Sequence, residues 1–420
     1  MKTKIKTILL FLITVSIIKG ELKAQNNLQY LRPSGKDGLN VFEDPKADTI
    51  LYERFKVRIG ADFALQFQAI NHTTGSVNDT LVELGNNFNL PTANLNLDVQ
   101  LADGLRVHIR TYLSSRHHNE AWVKGGHVQV DKLDFISKGF LENVMKYISI
   151  RAGLDEINYG DAHFRRTDNA RAIYNPFAGN YIMDAFSTEA FSELYFQGKG
   201  LIGMLAISNG KLNQSVVKAP GTDYKPSFYG KLGYDNNFTN DFRFRLTGSW
   251  YINNADTRKY IYGGDRGGSR YYNVMETTND ESDFSGRFNP GFNQLTAIQI
   301  NPFINFKGLE FFGIAEFAKG GSEDDNEDFI QLAGELLYRF GRNEKFYVGG
   351  RYNLVTGRNT EDDPTQEISR INAGGGWFIT NNVVVKIEYL QQAYSGDGWS
   401  GTVYEDGKFN GLMFETSIGF

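Results

Sequence analysis

Three arginines, Arg165, Arg166 and Arg171, stand close together in one aperiodic stretch, with Asp161, Asp168 and His163 among them. The stretch reads GDAHFRRTDNARAIYNPFAGNYIMDAF and lies between Asp155 and Glu189. Guanidinium groups grip phosphate and carboxylate through paired N–H donors, so this cluster suits an anion filter. A surface loop whose charges are solvated is the alternative. Roughly thirty residues without period, rich in aromatics, Asn and Gly, are long for a loose tip and read as a packed functional loop.

Other chemistry-bearing residues fall short. Ser208-Asn209-Gly210 is similar to the SNG of barrel phospholipases, but the position two before the serine is Ala206 rather than histidine. A serine without an adjacent base is not an activated nucleophile, so no hydrolysis and no catalytic residue is expected. His117 and His118 are neighbours whose side chains point apart in extended chain, a poor metal pair. The acidic run from Ser322 to Asp328 lacks the spacing and glycine of a calcium loop. No metal, no cofactor and no nucleic-acid partner is expected. Arg266, Arg270, Tyr271 and Tyr272, in a later Gly-rich loop, are candidate ligand or partner contacts, or a solvated tip.

The elements around these residues alternate with period two. The last stretch, NGLMFETSIGF, sets Leu412, Phe414, Ile418 and Phe420 against Met413, Glu415, Ser417 and Gly419. Near the front, Phe55, Val57, Ile59, Ala61, Phe63, Leu65 and Phe67 alternate with Lys56, Arg58, Asp62, Gln66 and Gln68. Such alternation marks strands with one apolar face. In lipid an open sheet edge leaves backbone groups unpaired at a cost of several kcal/mol, so first strand must meet last. Between them the spacing predicts about sixteen strands, an even number, joined alternately by short turns and longer polar loops. The expected fold is an all-β transmembrane antiparallel β-barrel whose third long loop is the arginine-bearing one. A secreted β-sandwich is the alternative, but it gives no reason for short turns on one side only.

If the apolar face meets lipid, the other face lines the lumen. On it lie Lys56, Arg58, Arg106, Arg110, Arg151, Lys231, Arg243, Arg245, Arg339, Arg351, Arg370 and Lys386. The acids of that face are Asp62, Asp98, Glu193, Glu310, Glu316, Glu335, Glu388 and Glu415. An excess of bases in a confined pore lowers the barrier for anions. Pairing of the arginines with those acids, to stiffen the wall, is the compatible alternative.

Lys2, Lys4 and Lys6 followed by an apolar core from Ile8 to Ile18 read as a signal peptide over residues 1–25. That core is too short to span a bilayer as a helix. The chain has no cysteine, hence no lipid-anchor cysteine, disulfide or thiolate site. Its 22 Tyr, 32 Phe and 45 Gly against 9 Pro favour strands and turns. Residues 26–53, rich in turn formers, are expected to be a periplasmic segment or one folded into the lumen; residues 54–420 form the barrel.

Three stretches, ISIRAGLDEINYG, GLEFFGIAEFAKG and INAGGGWFITNNVVVKIEYLQ, together with the terminal FETSIGF, resemble the phosphate-selective porin O and P family. The resemblance implies a sixteen-stranded outer-membrane barrel of a Gram-negative bacterium, a homotrimer, with the third loop in the lumen. It implies passive diffusion of small anionic or neutral solutes, phosphate among them, with Arg165, Arg166, Arg171, Asp161 and Asp168 at the constriction. Lysines are few on the lumenal face, unlike the phosphate-selective members. Phe420, a terminal aromatic residue after an alternating strand, resembles the signal by which the barrel-assembly machinery recognises its clients. The rival expectation is a barrel plugged by residues 26–53 and the long loops, serving as a binding or secretion-associated partner.

Overall fold

The computed structural model describes residues 28–420 apart from 49, 115–117, 167–170, 213–214, 218–223, 264–270, 280–283 and 323–324. The signal peptide, Asp168, His117, Arg266 and Arg270 lie outside the described residues.

Sixteen strands form a closed barrel in which each pairs antiparallel with its sequence neighbours. They are β1 Lys56–Thr73, β2 Asn87–Ala102, β3 Leu105–Ser114, β4 His118–Val130, β5 Ile148–Glu156, β6 Thr188–Gly198, β7 Leu201–Ser208 and β8 Ser227–Thr239. They continue as β9 Phe242–Asn253, β10 Leu295–Phe306, β11 Leu309–Ser322, β12 Asp325–Phe340, β13 Phe346–Arg358, β14 Gln366–Thr380, β15 Val383–Ser395 and β16 Lys408–Gly419. β1 closes on β16 in a register running from Asp62 opposite Gly419 to Thr73 opposite Lys408. Phe420 extends that seam through reciprocal backbone bonds with Ala61 of 3.1 and 3.2 Å. Gly60 makes the approach possible, because a Cβ there would lie 2.6 Å from the Phe420 carbonyl oxygen.

Burial runs opposite to that of a water-soluble protein. Leu65 is 39% exposed while its neighbour Gln66 is fully buried, and Phe414 is 44% exposed beside buried Glu415. Apolar side chains face out and polar ones face in, the arrangement lipid demands of a barrel wall. Aromatic side chains gather outside near the short turns. Tyr338, Phe340, Phe346 and Trp377 stack in a row with ring centroids 5.7–6.0 Å apart. Tyr234, Phe238, Phe242 and Phe306 continue this girdle.

The strands outrun their sequence signal at the long-loop end. β1 continues past Phe67 to Thr73 and β12 begins at Asp325 rather than Phe329. About ten residues suffice to cross the hydrocarbon. Beyond it the outward face meets water, so alternation fades while the ladder persists. Within β4, Gly125-Gly126 interrupts the period and the pairing with β3 shifts register there, yet the strand runs from His118 to Val130. β8 runs on past Asp235 to Thr239.

A barrel closed by continuous pairing resists detergent until heated. The purified protein is expected to migrate faster on a gel when unboiled than when boiled; equal mobility, with solubility in the absence of detergent, would contradict the fold.

Candidate functional site

The lumen is occupied by three chain segments that are not strands. At the short-turn end residues 28–53 cross the mouth. Gln29 exchanges bonds with Gln100 of β2, and Lys36 N donates to Asn381 O in the β14–β15 turn, 2.6 Å. Asn40 bonds Glu310 of β11, and its carbonyl accepts from Arg243 of β9 at 2.8 Å. Asp44 then pairs with Arg106 of β3 at 2.7 Å and Lys46 with Asp131 at 3.3 Å. These contacts reach opposite walls, so the segment spans the barrel.

Above it lies the third long loop, residues 157–187, whose backbone is held by the wall of β8 to β16. Arg351 Nη1 donates to Gly179 O at 2.9 Å, and Lys386 Nζ to Ala172 O at 2.6 Å. Gln331 brackets Met183, accepting from its N and donating to its O, both 2.9 Å. The fifth loop, residues 254–294, closes over the third: Tyr262 and Tyr271 donate to Glu316 and Glu388 at 2.8 and 2.6 Å. Tyr271 and Tyr272 are buried, so this part of the loop is no solvated tip.

Every guanidinium expected at the constriction has a carboxylate partner. Arg165 lies 2.8 Å from Glu335, Arg166 forks onto Asp184 at 2.8–2.9 Å, and Arg171 meets Glu156 at 2.6 Å. Asp161 is fully buried and receives Lys231 Nζ, Thr247 Oγ1 and two nitrogens of Arg245, at 2.7–3.0 Å. The other fork of Arg245 holds Glu43 at 2.8 and 2.9 Å.

The expected wall bases all face inward and all are likewise paired except Arg370, which donates to Gln392 Oε1 and to the Asn180 carbonyl, both at 2.7 Å. Arg58 meets Asp98, Arg110 meets Asp155 and Arg151 meets Glu193, at 3.2–3.3 Å. Arg243 meets Asp235 at 2.6 Å, Arg339 meets Glu310 at 2.8 Å and Arg351 meets Glu335 at 2.6 Å. Lys56 sits at the rim, 3.5 Å from Glu53. Several partners were not among the predicted acids. Glu43, Asp44, Glu156 and Asp184 come from aperiodic segments or a strand end, where period two says nothing about direction. His108 and His127 also lie on the inward face, as their even spacing from Arg106 and Gln129 requires, and are bonded to Asp98 and Asp155. Ser208 donates to Glu189, whose other oxygen accepts from Tyr251 at 3.2 Å.

A cavity of about 160 Å³ remains between the first five strands, the third loop and residues 31–44. One water needs roughly 10–15 Å³ on the same measure, so the space is ample for solute. Arg32, Arg58, Arg106, Arg110, Arg151 and Arg171 line it, with an equal number of carboxylates.

The inserted segments carry titrating groups. Burial would raise Glu43, but Arg245 and Lys231 outweigh it and hold the carboxyl below its ordinary 4.5. Asp44 is held low against burial by Arg106. Burial pushes His163 down to about 4. Depressed carboxyls contribute stability above their ordinary values that is lost as pH falls through the depressed ones. Neutral His163 adds to the loss as pH falls from 6.5 towards about 4. Residues 28–53 should therefore loosen in acid. A fluorophore on Asp37→Cys, unique in a chain without cysteine, should keep high anisotropy at neutral pH and lose it only as the pH is taken below the ordinary carboxylate values of 4.5 and 3.8. Anisotropy that stays constant until the barrel itself unfolds in acid would contradict the ionic seating.

No family model matches the sequence, and no curated protein does. Solved structures do match, at low identity. OmpT folded in vitro, an outer membrane protein of Vibrio cholerae, aligns over 89% of this chain and 100% of its own at 9% identity, TM-score 0.51. An anion-selective porin from Comamonas acidovorans aligns over 87% of this chain and 100% of its own at 11% identity, TM-score 0.52. The outer membrane channel DcaP of Acinetobacter baumannii aligns over 87% and 98%, at 10% identity and TM-score 0.52. The likeness is one of fold, and the narrower resemblance to phosphate-selective porins rests on the sequence stretches alone. This chain is thus a closed, sixteen-strand antiparallel barrel of the outer-membrane type.

Proposed function

We propose that the chain is a diffusion channel of the Gram-negative outer membrane for small hydrophilic solutes, with its passage along the β1–β5 side of the lumen. The observation that carries this reading is the polar cavity left there between wall, third loop and residues 31–44. No residue in the reading performs covalent chemistry. The third loop sets the width, with Asp161, Arg165, Arg166 and Arg171 fixing its course; Asp168 belongs to the same loop. The arginine-rich wall supports an anion preference, phosphate included. Against it stands the pairing of most of these guanidinium groups, Arg32 and Arg370 excepted, since a neutralised pair contributes little net field at a distance. We take the preference to be small.

One observation favours a second reading, a plugged barrel that binds a partner. Between β8 and β16 the inward side chains Lys231, Arg245, Gln331 and Gln392 are completely buried, so that this side is filled at their level, although a polar recess of about 270 Å³ opens at the short-turn mouth beside Arg243 and Arg339. Planar-bilayer recordings separate the two. The diffusion reading expects small conductance steps, a reversal potential near zero in a salt gradient, and larger steps when residues 28–50 are deleted. Silence from both proteins would establish the plug. A strongly anion-selective reversal potential that Arg165→Ala/Arg166→Ala abolishes would restore the arginine filter.

Phe420 is proposed as the assembly signal, and a homotrimer in outer-membrane lipid is proposed on the sequence resemblance alone. The Phe420 ring is 43% exposed beyond the seam it pairs, free to be recognised. Phe420→Asp should be exported yet fail to reach the heat-modifiable form; normal levels of folded protein in the outer membrane would refute the assignment.

A further inference from the structure

Two adjacent rows of the lumenal wall hold five buried polar atoms without partners among the described residues. They are Arg106 Nε, Gln129 Oε1 and Arg151 Nε in one row, and His108 Nε2 and His127 Nε2 in the next. Register makes the rows: Arg106 opposes Gln129, which opposes Arg151, and His108 opposes His127, which opposes Gly153. All five side chains line the cavity beside β1–β5. Arg106, His108 and Gln129 are more than nine-tenths buried. Buried polar atoms are almost always bonded, so such a cluster calls for an occupant.

The chemistry of the five atoms selects the occupant. His108 Nδ1 lies 2.8 Å from Asp98 Oδ1 and His127 Nδ1 lies 2.8 Å from Asp155 Oδ2. An ionised carboxylate only accepts, so each Nδ1 donates there, and a ring whose one proton sits on Nδ1 presents an Nε2 lone pair. Gln129 Nε2 donates to Asp131 at 3.0 Å, which leaves Oε1 as an acceptor. The two Arg Nε groups only donate. An anion would meet the donors but be repelled by three lone pairs. A metal ion would meet the lone pairs but face two guanidinium groups, and among the described residues no group of three His, Asp or Glu is placed to hold one. Hydroxyl groups both donate and accept, so a set of them satisfies all five atoms. Three strands about 4.8 Å apart and two rows about 7 Å apart give a patch on the order of 10 by 7 Å, the size of a six-carbon polyol. The ring pair itself is compact, its centroids 5.3 Å apart. Gly153 keeps the row open, since a Cβ there would sit 2.8 Å from His127 Cβ.

We propose that Arg106, His108, His127, Gln129 and Arg151 form a binding subsite for an uncharged polyhydroxylated solute, a sugar alcohol or monosaccharide, inside the barrel. The subsite takes its solute class from the diffusion reading but does not depend on passage, because binding in detergent needs no open path. Calorimetric titration of the full chain in detergent with sorbitol tests it, with inorganic phosphate and zinc as the competing probes. Sorbitol should bind saturably in the millimolar range, and phosphate and zinc should not. His108→Asn/His127→Asn keeps a donor to each aspartate while deleting both Nε2 atoms, and should weaken sorbitol binding roughly tenfold or more. Should that variant lose heat-modifiable mobility, Gln129→Leu supplies the comparison and should also weaken binding. Absence of saturable sorbitol binding, tighter binding of phosphate or zinc, or undiminished binding by a folded variant would each overturn the subsite. A barrel that binds sorbitol yet carries no current would leave the subsite standing and remove the diffusion reading.

Discussion

The interior of this barrel depends on one buried ionic knot. Arg245 of β9 holds Asp161 of the third loop with one side of its guanidinium and Glu43 of the N-terminal segment with the other, and Lys231 of β8 contacts both acids. Two cations and two anions balance in a place with almost no exposure. Isolating any of these charges would cost several kcal/mol, and breaking such a pair from one side costs about 3–5 kcal/mol. Neither inserted segment can leave without stranding a charge that the other needs. Wall, loop and segment are therefore coupled through four side chains, and the remaining contacts of the third loop follow from the position this knot imposes.

The barrel itself was legible because period two is written into strands that face lipid on one side. Phe63, Leu65 and Phe67 against Asp62, Gln66 and Gln68 could only be a wall, and the same logic put Arg106, Arg245 and Arg351 inside. Legibility ended where that constraint ended. Past the hydrocarbon the outward face is free to be polar, so β1 and β12 run on without a signal, and Gly125-Gly126 hid the start of β4. The inserted loop was readable as packed from its length and aromatic content. Its partners were not, because Glu43 and Asp184 lie in segments whose direction is set by tertiary contacts across more than a hundred residues.

The same limit explains how the charge pattern misleads when read from strands alone. The wall carries more bases than acids, which points to an anion path. The missing acids arrive from elsewhere in the chain: Asp44 for Arg106, and Glu43 and Asp161 for Arg245 and Lys231. A wall in a membrane must be neutralised by something, and here the protein supplies the counter-charges from its own loops and N-terminal segment. Arginine on a lumenal face thus informs about solute only after its charged neighbours in space are known.

The crossing of the short-turn mouth by residues 28–53 carries a consequence for the order of events in biogenesis. This stretch is the earliest of the described chain to be synthesised, yet its anchors lie on β2, β3, β9, β11 and the β14–β15 turn, the last of which emerges near the end. It has nowhere to settle until the circle is nearly complete, so the first residues made are among the last to find their place. Until then Arg106 of β3 and Arg245 of β9 lack Asp44 and Glu43, and the lumen of the nascent barrel is more positively charged than that of the finished one.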